Sequence, residues 1–289
     1  MPTGDSGLQH HQERVYTGDH DYRAGSPHLK HRRLNEEILA RLRALLAALA
    51  ARGLPPTVLE VGAGDGAFAE PLLAYGCHYT ATEMSRPSIA RLERLYARNE
   101  RFAAVFDPDG TMGRLGEERF SLVLFASVLH HIPDYLAALD RAARERVAPG
   151  GALATVQDPL FYPRLGRARH ALSEAAFLSW RVSQGHLARG AATRLRRARG
   201  VRDEDNPSDM VEYHVVRDGV DEEAVVALLR PSFARVELWP YWSTTAGLWQ
   251  RVGELTGARN TFGVVAEDRL AAPPAPAGAA DAAPRELAR

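Results

Sequence analysis

Apolar positions along this chain follow two periods, and the switches between them divide it into elements. From residue 57 to residue 157, short apolar runs alternate with stretches of helical period. Residues 58–61, 78–83, 101–107, 120–126 and 152–157 read as five strands, the fifth stopped by Asp158 and Pro159. The run at 120–126 is almost continuously apolar, as a central parallel strand covered on both faces must be. This alternation predicts an α/β, Rossmann-like, mostly parallel sheet with helices on both faces. Ahead of it, Ile38, Leu42, Leu45, Leu46 and Leu49 fall on one helical face. Arg41, Arg43 and Arg52 interrupt that apolar stretch, so the helix packs on the protein and does not span a bilayer. Behind the core, a helix starts near Asp221, strand six covers 233–242, a helix covers 246–257 and strand seven covers 261–267. The expected divisions are a mobile N-terminus (1–20), an N-terminal helical segment (21–52), a core (53–158), a helical insertion or cap after strand five (159–210), the remainder of the core (211–270) and an Ala/Pro-rich disordered tail (271–289).

The most informative junction follows the first strand, where Glu60 precedes Gly62, Gly64 and Gly66. Glycine reaches the φ values of a tight strand-to-helix turn and lets a ligand lie against the main chain. The spacing is ExGxGxG, whereas dinucleotide sites use GxGxxG to seat a pyrophosphate on a helix N-terminus. An acid at Glu60 would repel a pyrophosphate and attract a cation such as an amino acid's ammonium. Glu83 ends the second strand about 20 residues past the glycines, where nucleoside-binding folds read ribose hydroxyls. Asp107 ends the third strand.

The turn resembles motif I of the class I S-adenosylmethionine (SAM) methyltransferases. The segment Ser127 to Asp134, with His130 and His131 inside it, and the run Ala148–Gly151 resemble the type 11 and type 12 small-molecule enzymes of that class, over roughly residues 55–160. The resemblance implies SAM as cofactor and a site made of Glu60, Gly62, Ala63, Gly64, Glu83, Met84, Phe106, Asp107 and Ser127. In it, Asp107 meets the adenine amino group and Phe106 lies beside the ring. It also implies a seven-stranded sheet with strands six and seven as an edge hairpin. The reaction it implies is methyl transfer to O, N or C of a small acceptor, such as a specialised metabolite or sugar-like compound.

Holding the acceptor in line supplies much of such catalysis, and a base helps where the acceptor is a hydroxyl or an activated carbon. His130 and His131 follow strand four at the sheet edge where open α/β folds bind ligands, and adjacent residues point apart, so one of them at most is expected to face the substrate. The alternative for the other is to cap a helix beginning at Pro133. His214, past the insertion, is the third candidate base. Tyr16, Tyr22 and His28 belong to a segment that closes over the cofactor in related folds. Trp239, Tyr241 and Trp242 alternate too densely to be all core, and one or two of them are candidates to line the acceptor pocket. In the insertion, Leu172, Ala175, Ala176, Ser179 and Trp180 supply an apolar face for a cap. Ten arginines lie between Arg164 and Arg202 against the single acid Glu174, which reads as a solvated face or as the seat of an anionic acceptor.

Composition removes other classes. The formal net charge is zero, so no global field recruits nucleic acid or a membrane. All but one of the 36 basic residues are arginine, Lys30 being the exception, as expected of a GC-rich genome. A single cysteine, Cys77, excludes an internal disulfide, and the histidine spacings match no metal motif, so metal-independent chemistry is expected. With no apolar leader, the expected setting is the cytoplasm. A homodimer stays open. So do two other functions: a nicotinamide-dependent oxidoreductase, disfavoured by the glycine spacing, and a SAM-binding regulator without turnover.

Overall fold

The computed structural model describes residues 26–183 and 219–271. The described residues open with two helices, α1 (Pro27–Lys30) and α2 (Arg32–Ala51). Then come β1 (Thr57–Val61), α3 (Ala69–Ala74), β2 (His78–Glu83), α4 (Arg86–Tyr96), β3 (Phe102–Phe106) and β4 (Phe120–Ala126). After them run α5 (Tyr135–Arg141), β5 (Val147–Pro159), α6 (Arg167–Ser183), α7 (Glu222–Leu229), β6 (Phe233–Tyr241), α8 (Gly247–Thr256) and β7 (Thr261–Arg269). One seven-stranded sheet has the order β3-β2-β1-β4-β5-β7-β6. Neighbours from β3 through β5 are parallel, and β7 runs antiparallel to both β5 and β6.

Alternation along the strands divides the core between the two faces. Val58, Tyr79, Leu122, Leu124 and Ala154 pack with α2 and α3 on one face. Leu59, Val61, Val123, Phe125 and Leu153 pack with α5 and α7 on the other. The α2 stripe named above is buried along its length, which is why a helix carrying so many arginines stays docked. Side-chain oxygens of Ser85, Asp134 and Asp221 cap α4, α5 and α7.

Several boundaries differ from the sequence expectation. The third strand stops at Phe106, leaving Asp107 in the turn beyond it. The helix after the His130–His131 pair begins at Tyr135, because Asp134 and not a histidine accepts its first free amide, from Ala137 at 3.0 Å. The largest difference is β5, which starts at Val147 and runs through Asp158 to Pro159. Its ladder with β7 shifts between Thr155 and Asp158, where Gln157 adopts φ +68°. That bulge lets the strand resume beyond the expected stop. Asp158 therefore sits in the sheet opposite Phe262.

Trp239 and Tyr241 join the core on the α2 side, with the Arg41 guanidinium 4.0 Å above the Trp239 ring. Trp242 donates to the Trp249 carbonyl at 3.0 Å and lies against Gly253 of α8. Packing accounts for all three, and none borders the site cavity. The expectations placed on residues 1–20, on most of the arginine-rich run, on His214 and on the Ala/Pro tail lie outside the described residues.

Candidate active site

The strand order reverses between β1 and β4, and ligands bind open α/β sheets at the carboxyl side of such a switch point. There a cavity of about 570 Å³ opens, a size suited to a small organic ligand. Gly62 (φ +70°) and Gly64 (φ +56°) turn the chain under it. The amides of Gly62 and Ala63 both donate to the Thr82 carbonyl at 3.0 Å. A Cβ at Gly62 would lie 2.5 Å from Val128 Cγ2. This glycine thus serves the φ of the turn and also the close approach of the chain leaving β4.

Five carboxylates follow β1, β2 and β3 into the cavity wall: Glu60, Asp65, Glu83, Asp107 and Asp109. Glu83 accepts from the Gly64 amide at 2.9 Å through one oxygen, and from Met84 (2.9 Å) and Ser85 (3.0 Å) through the other. Burial pushes its carboxyl up, and the three amides oppose that. Oε2, with one donor, keeps lone-pair capacity for a ligand hydroxyl. Asp107 accepts from the Met112 amide at 2.8 Å through Oδ2, while its buried Oδ1 has no hydrogen-bond partner. Such an orphan acceptor calls for a ligand donor. Burial moves the Asp107 carboxyl up to about 6. Phe106 lies apart from the cavity wall, its ring between the guanidinium of Arg86 at 4.1 Å and that of Arg114 at 5.5 Å.

Glu60 is buried, and the Tyr79 hydroxyl donates to its Oε2. Burial, with Asp65 and Glu83 nearby, raises its carboxyl to about 8 despite that hydrogen bond. The folded chain therefore holds a proton on Glu60 that the unfolded chain releases near pH 4.5. Its stabilising contribution is full below about pH 4.5 and is lost as pH rises toward 8. His28 and His130, held neutral down to about 4, act with the opposite sign and weaken the fold as pH falls below 6.5. Glu60→Gln cannot ionise, so ligand-free Glu60→Gln protein is expected to lose less Tm than the parent between about pH 5 and pH 8. Superimposable Tm–pH curves would show that Glu60 is not held protonated.

Beyond β4 the wall changes character. Ser127 adopts φ +55° and donates its amide to the Val156 carbonyl at 2.8 Å, a conformation costing on the order of 1–3 kcal/mol in a non-glycine residue. It turns the chain into a single 3₁₀ turn, Leu129–His131. His130 and His131 both border the cavity, with ring centroids 4.0 Å apart. One of them at most was expected to face the substrate; the 3₁₀ turn brings both to the cavity wall. His130 Nδ1 lies 2.8 Å from Asp158 Oδ1, which also accepts the His130 amide at 3.2 Å. Asp158 is fully buried, and burial drives its carboxyl well up and the His130 ring down to about 4.

Residues 30–198 match the family model described as a methyltransferase domain. The chain belongs to that family. A segment of 108 residues is 34% identical to a protein assigned as the nonribosomal peptide synthetase CymA of Salinispora arenicola; this covers 36% of the chain and spans 1% of that protein's length. Among solved structures, a proposed sarcosine dimethylglycine methyltransferase of Galdieria sulphuraria aligns over 91% of this chain and 98% of its own, with TM-score 0.50 and 13% identity. The N-methyltransferase NodS of Bradyrhizobium japonicum WM9, solved with S-adenosyl-L-homocysteine (SAH), aligns over 90% and 98%, with TM-score 0.49 and 16% identity.

The fold is shared with the methyltransferase structure that aligns over 91% of the chain. The residues suit SAM, the cofactor that the resemblance of the glycine turn implies: an acidic half for a net cation, and an orphan acceptor on Asp107. Of the expected cofactor residues, Glu60, Gly62, Ala63, Gly64, Glu83, Met84, Asp107 and Ser127 border this same cavity and Phe106 does not. Among the described residues, no cluster of three His, Cys, Asp or Glu has metal-binding geometry, and no helix is long and apolar enough to cross a membrane.

Residues missed by the sequence reading complete the methyltransferase site. Asp158 was read as a strand stop, although its place beside Pro159 at the same sheet edge as His130 was a usable signal. Tyr79 gave none, since nothing in sequence pairs it with Glu60. Ser243, Thr244 and Thr245, just past the Trp239–Trp242 cluster, border the cavity in its place. His28 was named only as part of a closing segment. It is buried against Phe68, with ring centroids 5.8 Å apart, and borders the cavity. Next to it, His31 Nε2 donates to the Thr244 carbonyl at 2.7 Å and ties this N-terminal stretch to the loop after β6. In α6, Ser173, Phe177 and Trp180 reach the cavity, whereas Ala176 is buried against the protein and Ser179 accepts from Trp249 Nε1 at 2.8 Å. The expected apolar face was therefore offset, and the edge facing the site is aromatic and polar.

Proposed function

We propose that this domain methylates a hydroxyl group of a small molecule, a specialised metabolite or sugar-like compound, with His130 as the base and Asp158 as its positioning residue. The carrying observation is the buried contact between His130 Nδ1 and Asp158 Oδ1 at the cavity wall. Glu83 and Asp107 hold the nucleoside, and the glycine turn with Glu60 receives the amino-acid half. When bound, SAM supplies a methyl carbon on a positively charged sulfur, which departs as a neutral thioether. The acceptor oxygen forms the new bond to carbon, and His130 takes its proton through Nε2. Asp158 fixes the ring through Nδ1, which leaves Nε2 to take the proton. An imidazole held neutral at pH 7 is in the form that accepts a proton.

A hydroxyl is a poor nucleophile until its proton leaves and gains more from a base than a free amine with its lone pair, so the pair at His130 favours oxygen. The proposal is tested by calorimetry with SAM and NADH, followed by an assay for SAH release against matched alcohol and amine acceptors. Micromolar SAM binding and alcohol-dependent SAH release are expected. NADH binding without SAM binding would restore the oxidoreductase alternative. SAM binding without turnover on any acceptor would favour a regulator.

A further inference from the structure

The two halves of the sheet give the cavity two chemically different ends. All five carboxylates on its wall lie in the last residues of β1 and β2 or in the turns after β1 and β3. The wall built by α1, the segment after β4, α6 and the loop from β6 to β7 carries His28, His130, Phe177, Trp180, Thr245 and Asn260. Among the described residues, this second wall has neither a carboxylate nor an arginine or lysine. Arg164 is engaged by Asp221, Glu222 and Glu223, and Arg167 and Arg169 are exposed away from the cavity. An anion seated here would leave water with no cation to offset the cost.

What the wall does offer is neutral. Phe177 and Trp180, three residues apart and so on one face of α6, have ring centroids 6.0 Å apart. Ser173 and Asn260 are joined at 3.2 Å, which docks α6 beside β7 and holds those rings in place. Thr245 and the two imidazoles add hydrogen-bonding capacity. His28 Nδ1 is buried with no hydrogen-bond partner, and burial keeps both rings uncharged at neutral pH. A large apolar platform with a few converging neutral polar groups selects a compact ring bearing hydroxyls.

We propose that the methyl acceptor is an uncharged, hydroxyl-bearing ring compound that seats one flat face on Phe177 and Trp180. This inference rests on the methyltransferase reading and on the described residues of the wall; most of the arginine-rich run lies outside them, and the charged pairs in the test decide its part. The test uses the full chain, first titrated with SAH and then saturated with it. Ring alcohols and phenols are screened against it, each paired with the carboxylate and the phosphate ester of the same skeleton. The expected result is that neutral members bind, that their charged partners bind at least about tenfold more weakly, and that Trp180→Ala weakens the neutral members by about tenfold with SAH affinity unchanged. Phe177→Leu, a milder change, reports on the same platform should Trp180→Ala lose SAH binding. A carboxylate or phosphate that binds as tightly as its neutral partner overturns the proposal. So does the absence of any compound whose binding depends on Trp180 or Phe177. Failure of the parent chain to bind SAH removes the methyltransferase reading itself, an outcome recorded before any acceptor is added.

Discussion

His130→Ala is expected to lower kcat by about 10²–10⁴-fold, the range for a positioned proton transfer, while the Kd for SAM changes by less than about threefold. His130 borders the cavity beyond β4, whereas the groups proposed to hold the nucleoside, Glu83 and Asp107, lie at the ends of β2 and β3. Its loss therefore removes an interaction made in the transition state and leaves cofactor binding alone. Asp158→Asn should fall between the parent and His130→Ala, because an amide keeps the shape of the contact but not the carboxyl's pairing with Nδ1. The split between kcat and Kd is what a merely structural role would not produce. Full turnover in His130→Ala would assign the reaction to proximity alone, or to His131 or His214.

The second large effect is on the cofactor. Glu83→Ala is expected to weaken SAM binding by about 3 kcal/mol, over a hundredfold in Kd, through loss of charge-assisted hydrogen bonds to the ribose. The same change strips the acceptor from the amides of Gly64, Met84 and Ser85, so it should also lower the Tm of the ligand-free protein. Glu83→Gln separates the two effects, since its single carbonyl oxygen can still serve one side of the turn. Calorimetry and thermal denaturation on both variants check this. Unchanged SAM affinity in Glu83→Ala would mean that the ribose lies elsewhere.

How far the site was legible depended on the kind of contact involved. The glycine turn, Glu83 and Asp107 each stand at the end of a strand whose apolar run is plain in the sequence. A parallel sheet carries those ends to one edge, so periodicity alone brought the cofactor residues together. The strand-five end was harder to read. Asp158 and Pro159 look like a terminator, and only the left-handed Gln157 lets the strand continue. The aromatic cluster Trp239–Trp242 misled for a related reason. Its rings are absorbed by α2 and α8, and the cavity is bordered by the small polar residues that follow.

The sequence by itself determined the layer architecture, the sheet edge where the cavity opens and the acidic character of one half of its wall, because each follows from local period and from residues adjacent in the chain. Tertiary structure alone decided that burial holds Glu60 protonated beside the Tyr79 hydroxyl, that Asp158 stands behind His130, and that Phe177 and Trp180 of α6 border the cavity. These are contacts between side chains on different elements. Their existence depends on strand register, on a bulge and on how a helix is rolled about its axis, and none of these leaves a period in the chain.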